Sequence, residues 1–355
     1  MSRADRVAAR LGGHDLDLLL VTDLVNVRYL TGYTGTNGLA ILGAQTRRFL
    51  TDFRYTEQAE AQVTAGFDRE TAPRELRLGL ADGWPSGPVR LGFEDDHLPV
   101  RALAALRETL PGRVELVPAG GLVEAERAIK EPEEIAAIRA AAALTDEIYG
   151  WVAGRGVVGR TERELAITLE HEMRLRGAEP AFASIVASGE HGAQPHAVPR
   201  DVPVARGVLV TVDIGARVDG YCSDCTRTWA TGPLPDELAA IHAVVVAAEA
   251  AGVAAVRPGP TGRAVDAVAR DVVEAAGHGE HFGHGLGHGV GLEIHEAPRL
   301  AQTDETPLAA GHVVTVEPGV YVPGVGGARV EDLVLVTADG HEVLSGTTRE
   351  HGVLA

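Results

Sequence analysis

Positive charge is scarce in this sequence. Lysine and arginine together number 32, against 50 aspartate and glutamate residues, so the formal net charge is −18. Contact with nucleic-acid phosphates or with an anionic membrane would therefore begin with net repulsion, and we expect neither partner. A peptide or another small molecule is the better match.

Long apolar runs are also missing. The segment 243–256 comes nearest to a membrane span, but it is rich in alanine and is interrupted by Glu249. Near the N-terminus, Asp15 and Asp17 stand where a signal peptide would need its apolar stretch. We therefore expect a cytoplasmic protein.

Cysteine is limited to Cys222 and Cys225, whose C-x-x-C spacing is found in redox and zinc sites. The surrounding segment 221–229 is predicted to be a strand, in which residues three apart point to opposite faces. A disulfide would oppose that geometry, and no second cysteine pair is present to complete a zinc site. We expect two small strand side chains.

The length of 355 residues favours two domains, with a boundary near residue 122. Segments 16–22, 38–42, 48–51 and 89–93 are predicted strands and 55–63 a helix, which indicates an α/β domain over 1–122. A helix is expected to begin at Glu131–Glu134, where Pro132 lies in the first turn. The domain 123–355 is predicted to contain helices at 161–176, 235–256 and 261–276 and strand-rich stretches at 207–231 and 311–337, so that a helix pair followed by a hairpin occurs twice.

The two strand-rich stretches each carry a pair of acids. A hairpin folded about Val218 and Asp219 would place Asp213 opposite Asp224. A second hairpin, turning at Pro323 and Gly324, would place Glu317 opposite Glu331. All four acids lie among valines and leucines, where an unpaired carboxylate costs several kcal/mol. A site for about two divalent cations explains all four.

Between these hairpins lies the segment 283–295, GHGLGHGVGLEIH, with three histidines among five glycines. Glycines leave no side chains between His284, His288 and His295, so the imidazoles can approach a shared cavity. A histidine nitrogen that joins the acids as a ligand would shift the metal preference of the site from Mg²⁺ or Ca²⁺ toward Mn²⁺, Fe²⁺, Co²⁺ or Zn²⁺. A flexible histidine-rich surface segment is the structural alternative.

The phrases VDIGARVDGYCSDCTRT, GHGLGHGVGLEIHE, TVEPGVY and RVED, which span residues 125–350 in this order, resemble the pita-bread metallopeptidases. That group comprises methionine aminopeptidase, prolidase and aminopeptidase P. The segments NVRYLTGYTGTNGLA and FLTDFRYTEQA are similar to the creatinase-type N-terminal domain of Xaa-Pro peptidases. The resemblance implies an α+β fold, with domain 1–122 of the creatinase N-terminal type and domain 123–355 the pita-bread catalytic domain.

The resemblance also implies the site residues and the chemistry. It implies two divalent metals, Mn²⁺ first and Co²⁺, Zn²⁺ or Fe²⁺ as alternatives, held by Asp213, Asp224, His288, Glu317 and Glu331. The implied catalytic residues are His196, His284, His295, Glu317 and Arg329. Hydroxide activated by the metal pair would cleave the bond before proline, with Glu317 taking a proton and His196 or His295 stabilising the developing charge.

Two questions stay open at this stage. The substrate is expected to be a peptide with proline at its second position, and an aminopeptidase P that accepts longer peptides is preferred over a prolidase limited to dipeptides. A pita-bread domain that only binds peptides, or a metal-storage protein, are the rivals from other classes. Homodimers are common in the resembling proteins, so a homodimer is expected here.

Overall fold

The computed structural model describes residues 1–349, and the chain forms two compact units that divide between Arg127 and Ala128. The boundary expected at 122/123 lies in the turn just before the short helix Glu124–Arg127.

The helices and strands are numbered here in chain order. The helices are α1 (Arg3–Arg10), α2 (Leu24–Thr31), α3 (Thr56–Gln62), α4 (Val100–Thr109), α5 (Glu124–Arg127), α6 (Pro132–Ala153), α7 (Glu162–Leu175), α8 (Asp236–Ala255) and α9 (Gly262–Ala275). The strands are β1 (Leu18–Val21), β2 (Gly38–Gly43), β3 (Arg47–Asp52), β4 (Asp68–Ala72), β5 (Val89–Phe93), β6 (Val114–Pro118), β7 (Glu179–Pro180), β8 (Ile185–Ser188), β9 (Leu209–Ile214), β10 (Ala216–Val218), β11 (Tyr221–Cys222), β12 (Cys225–Ala230), β13 (Gly287–Gly289), β14 (Glu296–Leu300), β15 (Val313–Val316), β16 (Gly319–Val322), β17 (Gly326–Arg329), β18 (Asp332–Val336) and β19 (His341–Val343).

The first unit is built on a six-stranded mixed sheet in the order β4-β3-β2-β1-β5-β6. The predicted hairpin is present, because β2 and β3 pair antiparallel. The two strands that the sequence pattern did not reveal, β4 and β6, are the two edges of this sheet. Their residues are only partly covered, so neither has the continuous apolar run that identifies a buried strand.

The second unit begins with the predicted helix. Pro132 occupies its first turn, and Glu131 and Glu134 form a reciprocal capping box. A second capping box, between Thr161 and Glu164, starts α7. The predicted helix limits agree with α7, α8 and α9 to within one or two residues.

A helix pair followed by antiparallel strands does occur twice. Helices α6 and α7 share a buried cluster with β9 and β12, represented by Leu169, Val212 and Trp229. Helices α8 and α9 share another with β15 and β18, represented by Ile241 and Val314. The acids predicted as ligands lie on or beside these strands, so the two cores hold the site from both sides.

Helix α8 is long and apolar enough, by length and composition, to cross a membrane. Its buried face nevertheless packs into the core of the second unit through Leu238, Ile241 and Val245, and it also buries His242 and Glu249. The apolar character of α8 is accounted for by this packing.

The core of the second unit offers a matched test. Ile138 on α6 is fully buried beside Val313 and Leu333, whereas Ile167 on α7 is 62% exposed. Because Ile138→Ala leaves a cavity, it should lower the free energy of unfolding by about 2–5 kcal/mol. Ile167→Ala should change it by less than about 1 kcal/mol. Urea denaturation followed by circular dichroism measures both, and equal effects would contradict the packing described.

Candidate metal centre

All nine residues that the sequence predicts for the site line one cavity of about 500 Å³ in the second unit. They are His196, Asp213, Asp224, His284, His288, His295, Glu317, Arg329 and Glu331. They come from at least five separate segments of the chain, so their convergence is a property of the fold. His284, His288 and His295 line the cavity wall, so this part of the histidine-rich segment is not a flexible surface segment.

Three carboxylates form the centre of the cavity wall. Asp213 lies in β9, Asp224 lies between β11 and β12, and Glu331 directly precedes β18. One oxygen of each lies within 4.8 Å of the others, and all three residues are buried.

The predicted register of the first hairpin is wrong by two residues. Thr226, and not Asp224, lies opposite Asp213. The reason is the turn, because Asp219 and Gly220 both have positive φ and form its two central residues. An Asp-Gly pair is a strong signal for such a two-residue hairpin turn. Asp224 reaches the cavity because the returning strand is interrupted between β11 and β12.

The second hairpin keeps the predicted register. Val316 pairs with Asp332 on one side and Gly319 pairs with Arg329 on the other. The same register continued between these pairs places Glu317 opposite Glu331. Each acid lies at a break between two strand segments, where its side chain can leave the sheet and face the cavity.

The oxygen atoms of this cluster are only partly satisfied by protein donors. Thr226 Oγ1 donates to Glu331 Oε2 at 2.7 Å, and Arg329 Nη2 donates to Asp213 Oδ2 at 2.6 Å. Asp213 Oδ1 and Glu331 Oε1 are buried and have no hydrogen-bond partner among the described residues. Buried oxygens that lack donors are the environment a cation completes, so the residues present fit a divalent metal site.

His288 is oriented toward these acids. Its Nδ1 lies 3.0 Å from the carbonyl oxygen of Gly289, which can only accept, so Nδ1 carries the proton. The lone pair of Nε2 then faces Glu317 Oε1 at 3.3 Å and Asp224 Oδ2 at 3.6 Å. This is the tautomer that a metal-ligating histidine requires.

The glycines beside His288 allow its strand to fit. A Cβ on Gly287 would collide with the backbone carbonyl of Thr315, and one on Gly289 with that of Ala297. Only glycine permits β13 to lie this close to its neighbouring strands. The glycine pattern in the sequence thus reflects close backbone packing around a ligand.

Arg329, Tyr321 and His284 form a hydrogen-bonded chain on one wall. Arg329 Nη1 donates to the hydroxyl of Tyr321 at 2.9 Å, and that hydroxyl lies 3.0 Å from His284 Nε2. His284 Nδ1 donates to the carbonyl oxygen of Gly285 at 2.7 Å. Because the Tyr321 hydroxyl donates to His284, both ring nitrogens are engaged, and the chain fixes the imidazole.

The remaining two histidines differ in exposure. The ring of His295 lies edge-on to that of His288, with centroids 4.4 Å apart. Burial and the neighbouring His288 and Arg299 lower the pKa of His295, which favours the neutral form. His196 is exposed on a loop at the cavity.

Sequence reasoning did not identify several residues that contact the site. Tyr321, Thr226 and Thr315 orient predicted site residues, and Arg299 lines the cavity. Their partners are distant in sequence, so no spacing rule identifies them. The one sequence signal at Tyr321 is a polar aromatic residue inside an apolar strand.

The cysteines match the expectation of two small strand side chains. Cys222 ends β11, Cys225 begins β12, and both thiols are free and buried. Burial raises the pKa of the Cys222 thiol to about 12, which disfavours the reactive thiolate.

The acidic cluster predicts a pH dependence of stability in metal-free protein. Burial, and then the neighbouring acids, raise the pKa of Asp224 and of Glu331 well above the usual range. A folded-state pKa above the unfolded value means that the folded protein binds more protons in that interval. The contribution of these two groups to the free energy of unfolding should therefore fall as pH rises from about 4, the ordinary carboxyl pKa, toward the raised values.

Thermal unfolding of chelator-treated protein between pH 4 and 8 measures this effect. Asp224→Asn removes this falling contribution, so the melting temperature of the variant minus that of the wild type should rise with pH, while Asp271→Asn, an exposed position in the middle of α9, should leave the profile unchanged. A difference between Asp224→Asn and the wild type that stays constant with pH would contradict the assignment.

Comparison with known proteins identifies the family. Residues 136–338 match the model of metallopeptidase family M24, and residues 3–129 match the creatinase/prolidase N-terminal domain. The chain is 35% identical to the Xaa-Pro dipeptidase of Pyrococcus horikoshii, over 95% of each chain.

Two solved structures cover the fold as a whole. The Xaa-Pro dipeptidase from Bacillus anthracis superposes with a TM-score of 0.93 at 38% identity and covers 98% of both chains. The X-Pro aminopeptidase from Thermotoga maritima superposes with a TM-score of 0.89 at 31% identity and covers 98% of this chain and 99% of its own. These matches confirm the predicted α+β architecture of a creatinase-type N-terminal domain followed by a pita-bread domain, and the chain belongs to metallopeptidase family M24.

Proposed function

We propose that this protein is an exopeptidase that hydrolyses the bond preceding proline and releases the N-terminal residue of Xaa-Pro peptides. The observation that carries the proposal is the convergence of buried carboxylates, an oriented His288 and further histidines in one cavity. The names of the similar proteins, which include both an Xaa-Pro dipeptidase and an X-Pro aminopeptidase, supply the substrate class. A domain that only binds peptides would not require this complete set of donors.

We infer that two divalent cations would be held by Asp213, Asp224, His288, Glu317 and Glu331, and the resemblance implies that Asp224 and Glu331 would serve both. Mixed oxygen and nitrogen donors suit Mn²⁺, and also Co²⁺, Zn²⁺ or Fe²⁺. When bound, the metals supply Lewis acidity, which lowers the pKa of water and polarises the scissile carbonyl.

Glu317 is the carboxylate suited to accept a proton from the attacking water. In metal-free protein, burial raises the pKa of Glu317, despite the opposing charges of His284 and Arg329. Thr315 Oγ1 lies 3.2 Å from Glu317 Oε1 and fixes the carboxylate.

The histidines and Arg329 have complementary parts in this mechanism. Neutral His295 and the exposed His196 can donate N–H groups to the oxygen that gains charge during attack. Arg329 holds Asp213 on one side and, through Tyr321, His284 on the other. Its guanidinium therefore keeps the wall of the cavity in one arrangement.

The preferred peptide length depends on how the cavity wall contacts the end of the peptide, and among the described residues Arg299 is one of two arginines that line this wall. Arg299 is an exposed residue of β14 that lines the cavity, and its charge is felt at His295. A guanidinium in this position can pair with the free carboxylate of a dipeptide. The position of Arg299 favours dipeptides as substrates of this protein. The similarity to the X-Pro aminopeptidase from Thermotoga maritima favours longer peptides.

Hydrolysis of Ala-Pro and Ala-Pro-Ala tests the function directly. Metal-depleted protein is assayed with Mn²⁺, Co²⁺ or Zn²⁺ added back. Cleavage of the dipeptide with little cleavage of the tripeptide defines a prolidase, and the reverse defines an aminopeptidase P. Cleavage of neither peptide with any metal would contradict the proposal and favour a binding domain.

Arg299→Gln tests the length preference. Loss of the ion pair should raise KM for Ala-Pro about tenfold, equivalent to about 1.4 kcal/mol, and leave kcat nearly unchanged. Ala-Pro amide, which lacks the carboxylate, should show no such change. Arg206→Gln, at an exposed arginine outside the lining of the cavity, is the control. An equal rise in KM for the amide would exclude a carboxylate contact.

Glu331→Gln tests the shared ligand. Because an amide lacks the charge and one acceptor, both metals should bind more weakly, and kcat should fall by orders of magnitude while the fold survives. Elemental analysis gives the metal content and circular dichroism the fold. Glu237→Gln, at an exposed acid on α8, is the control. Near-normal kcat with full metal content in Glu331→Gln would overturn the shared-ligand assignment.

The assembly is proposed from the resemblance to related peptidases, which favours a homodimer. Light scattering of the purified protein gives the mass and decides between a dimer and a monomer of 37.2 kDa.

A further inference from the structure

A buried acid outside the metal centre binds both ends of the loop that carries His196. Glu162 is the first residue of α7, and its side chain is completely buried. The loop runs from Ser188, the last residue of β8, to Arg200. It has little regular structure around His196, so its shape depends on contacts at its ends.

Both oxygens of the Glu162 carboxylate are fully used by this loop. Oε1 accepts from Ser188 N and Ser188 Oγ, each at 2.9 Å, and from Arg200 Nη2 at 3.0 Å. Oε2 accepts from His191 Nδ1 at 2.9 Å, Arg200 N at 3.0 Å and Arg200 Nε at 3.1 Å. One carboxylate thus joins the beginning, the first turn and the end of the loop.

The carboxylate is ionised in this environment. Burial opposes its charge, but the hydrogen bonds from Arg200 and Ser188 outweigh burial and lower the pKa of Glu162. Ser188 and His191 are buried, so the N–H and O–H groups that they donate would otherwise lack a partner in the protein interior. An amide at this position would turn one acceptor into a donor that faces other donors.

The middle of the loop meets the cavity directly. Pro195 and His196 line it, and the carbonyl oxygen of Pro195 accepts from Arg329 Nη1 at 3.1 Å. Gly192 packs against the backbone of Gly327, so close that a Cβ on Gly327 would collide with the Gly192 carbonyl. The loop therefore touches the reaction cavity at its centre and is held by Glu162 at its ends.

We propose that Glu162 is a positioning residue that holds the Ser188–Arg200 loop so that His196 meets the substrate in the cavity. This inference rests on the proposed role of His196 in the hydrolysis of Xaa-Pro peptides. Glu162 itself contacts neither the cavity nor the metal ligands among the described residues. Its effect on catalysis passes through the loop, because a displacement of about 1 Å at a reacting group can cost about a hundredfold in rate.

A double-mutant cycle separates positioning from general destabilisation. Glu162→Gln and His196→Ala should each lower kcat/KM for the same Xaa-Pro peptide by about 10–100-fold. In the double variant the loss should not exceed that of His196→Ala alone, because Glu162 has nothing left to position. Metal content should stay at the wild-type level in all three variants.

Two controls and an independent readout accompany the cycle. Glu164→Gln removes the other acid of the first turn of α7, whose Oε2 accepts from Thr161 N within the capping box. It should lower stability slightly and leave kcat/KM unchanged. Hydrogen exchange measured by mass spectrometry should show faster exchange over residues 189–200 in Glu162→Gln and not in Glu164→Gln.

A milder variant covers the case in which Glu162→Gln does not fold. Arg200→Ala removes two of the six hydrogen bonds from a side chain that is 44% exposed, so the fold should survive. It should reproduce the loss of kcat/KM and the faster exchange to a smaller extent. Arg163→Ala, which removes the exposed ion pair with Asp201 beside it, is its control and should do neither.

The outcomes distinguish this inference from the function on which it rests. The positioning role would be overturned if His196→Ala lowers kcat/KM and Glu162→Gln lowers it by the same further factor in the double variant. The proposed function would stay intact in that case. Unchanged kcat/KM in His196→Ala would overturn the role of His196 and the role of Glu162 together. Unchanged exchange over 189–200 in both Glu162→Gln and Arg200→Ala would also overturn the positioning role.

Discussion

The metal centre of the second unit depends on the electrostatic repulsion between three carboxylates that the fold brings together in a buried environment. Asp213, Asp224 and Glu331 place oxygens within 4.8 Å of one another while all three are buried. Like charges at this separation and burial cannot all remain ionised without a compensating cation. Among the described residues, Arg329 compensates the charge on one side through its contact with Asp213. Divalent metal ions bound by these acids would remove the remaining repulsion.

Rigid surroundings keep the cluster from relaxing. Behind Glu331, the buried ion pair of Arg227 and Asp332 has a distance of 2.7 Å, and Arg227 also donates to the carbonyl of Glu331. On the cavity side, the wall is defined by the loop held by Glu162 and by the hydrogen bonds that link Arg329, Tyr321 and His284. Ligands are therefore fixed by packing and by hydrogen bonds to groups that never touch the metal, which is the support that such sites need.

Much of this organisation could be predicted from the sequence, and the exceptions have physical causes. The helices are marked by caps and by periodic apolar residues, and the acids are conspicuous because they interrupt valine-rich strands. The predicted strand register at Asp213 was wrong because the hairpin turns at Asp219 and Gly220, and not at Val218 and Asp219. Tyr321, Arg299 and Glu162 were not identified because each acts through partners brought near only by the tertiary fold. The edge strands β4 and β6 were not predicted because an exposed edge strand has no continuous apolar pattern.

The central claim is that the buried acids bind two divalent cations, and anomalous X-ray diffraction tests it most directly. Crystals grown with Mn²⁺ would be measured on both sides of the manganese absorption edge. The account predicts two anomalous peaks in the cavity, both in contact with oxygens of Asp224 and Glu331. A single peak, or peaks that lie away from these carboxylates, would contradict it.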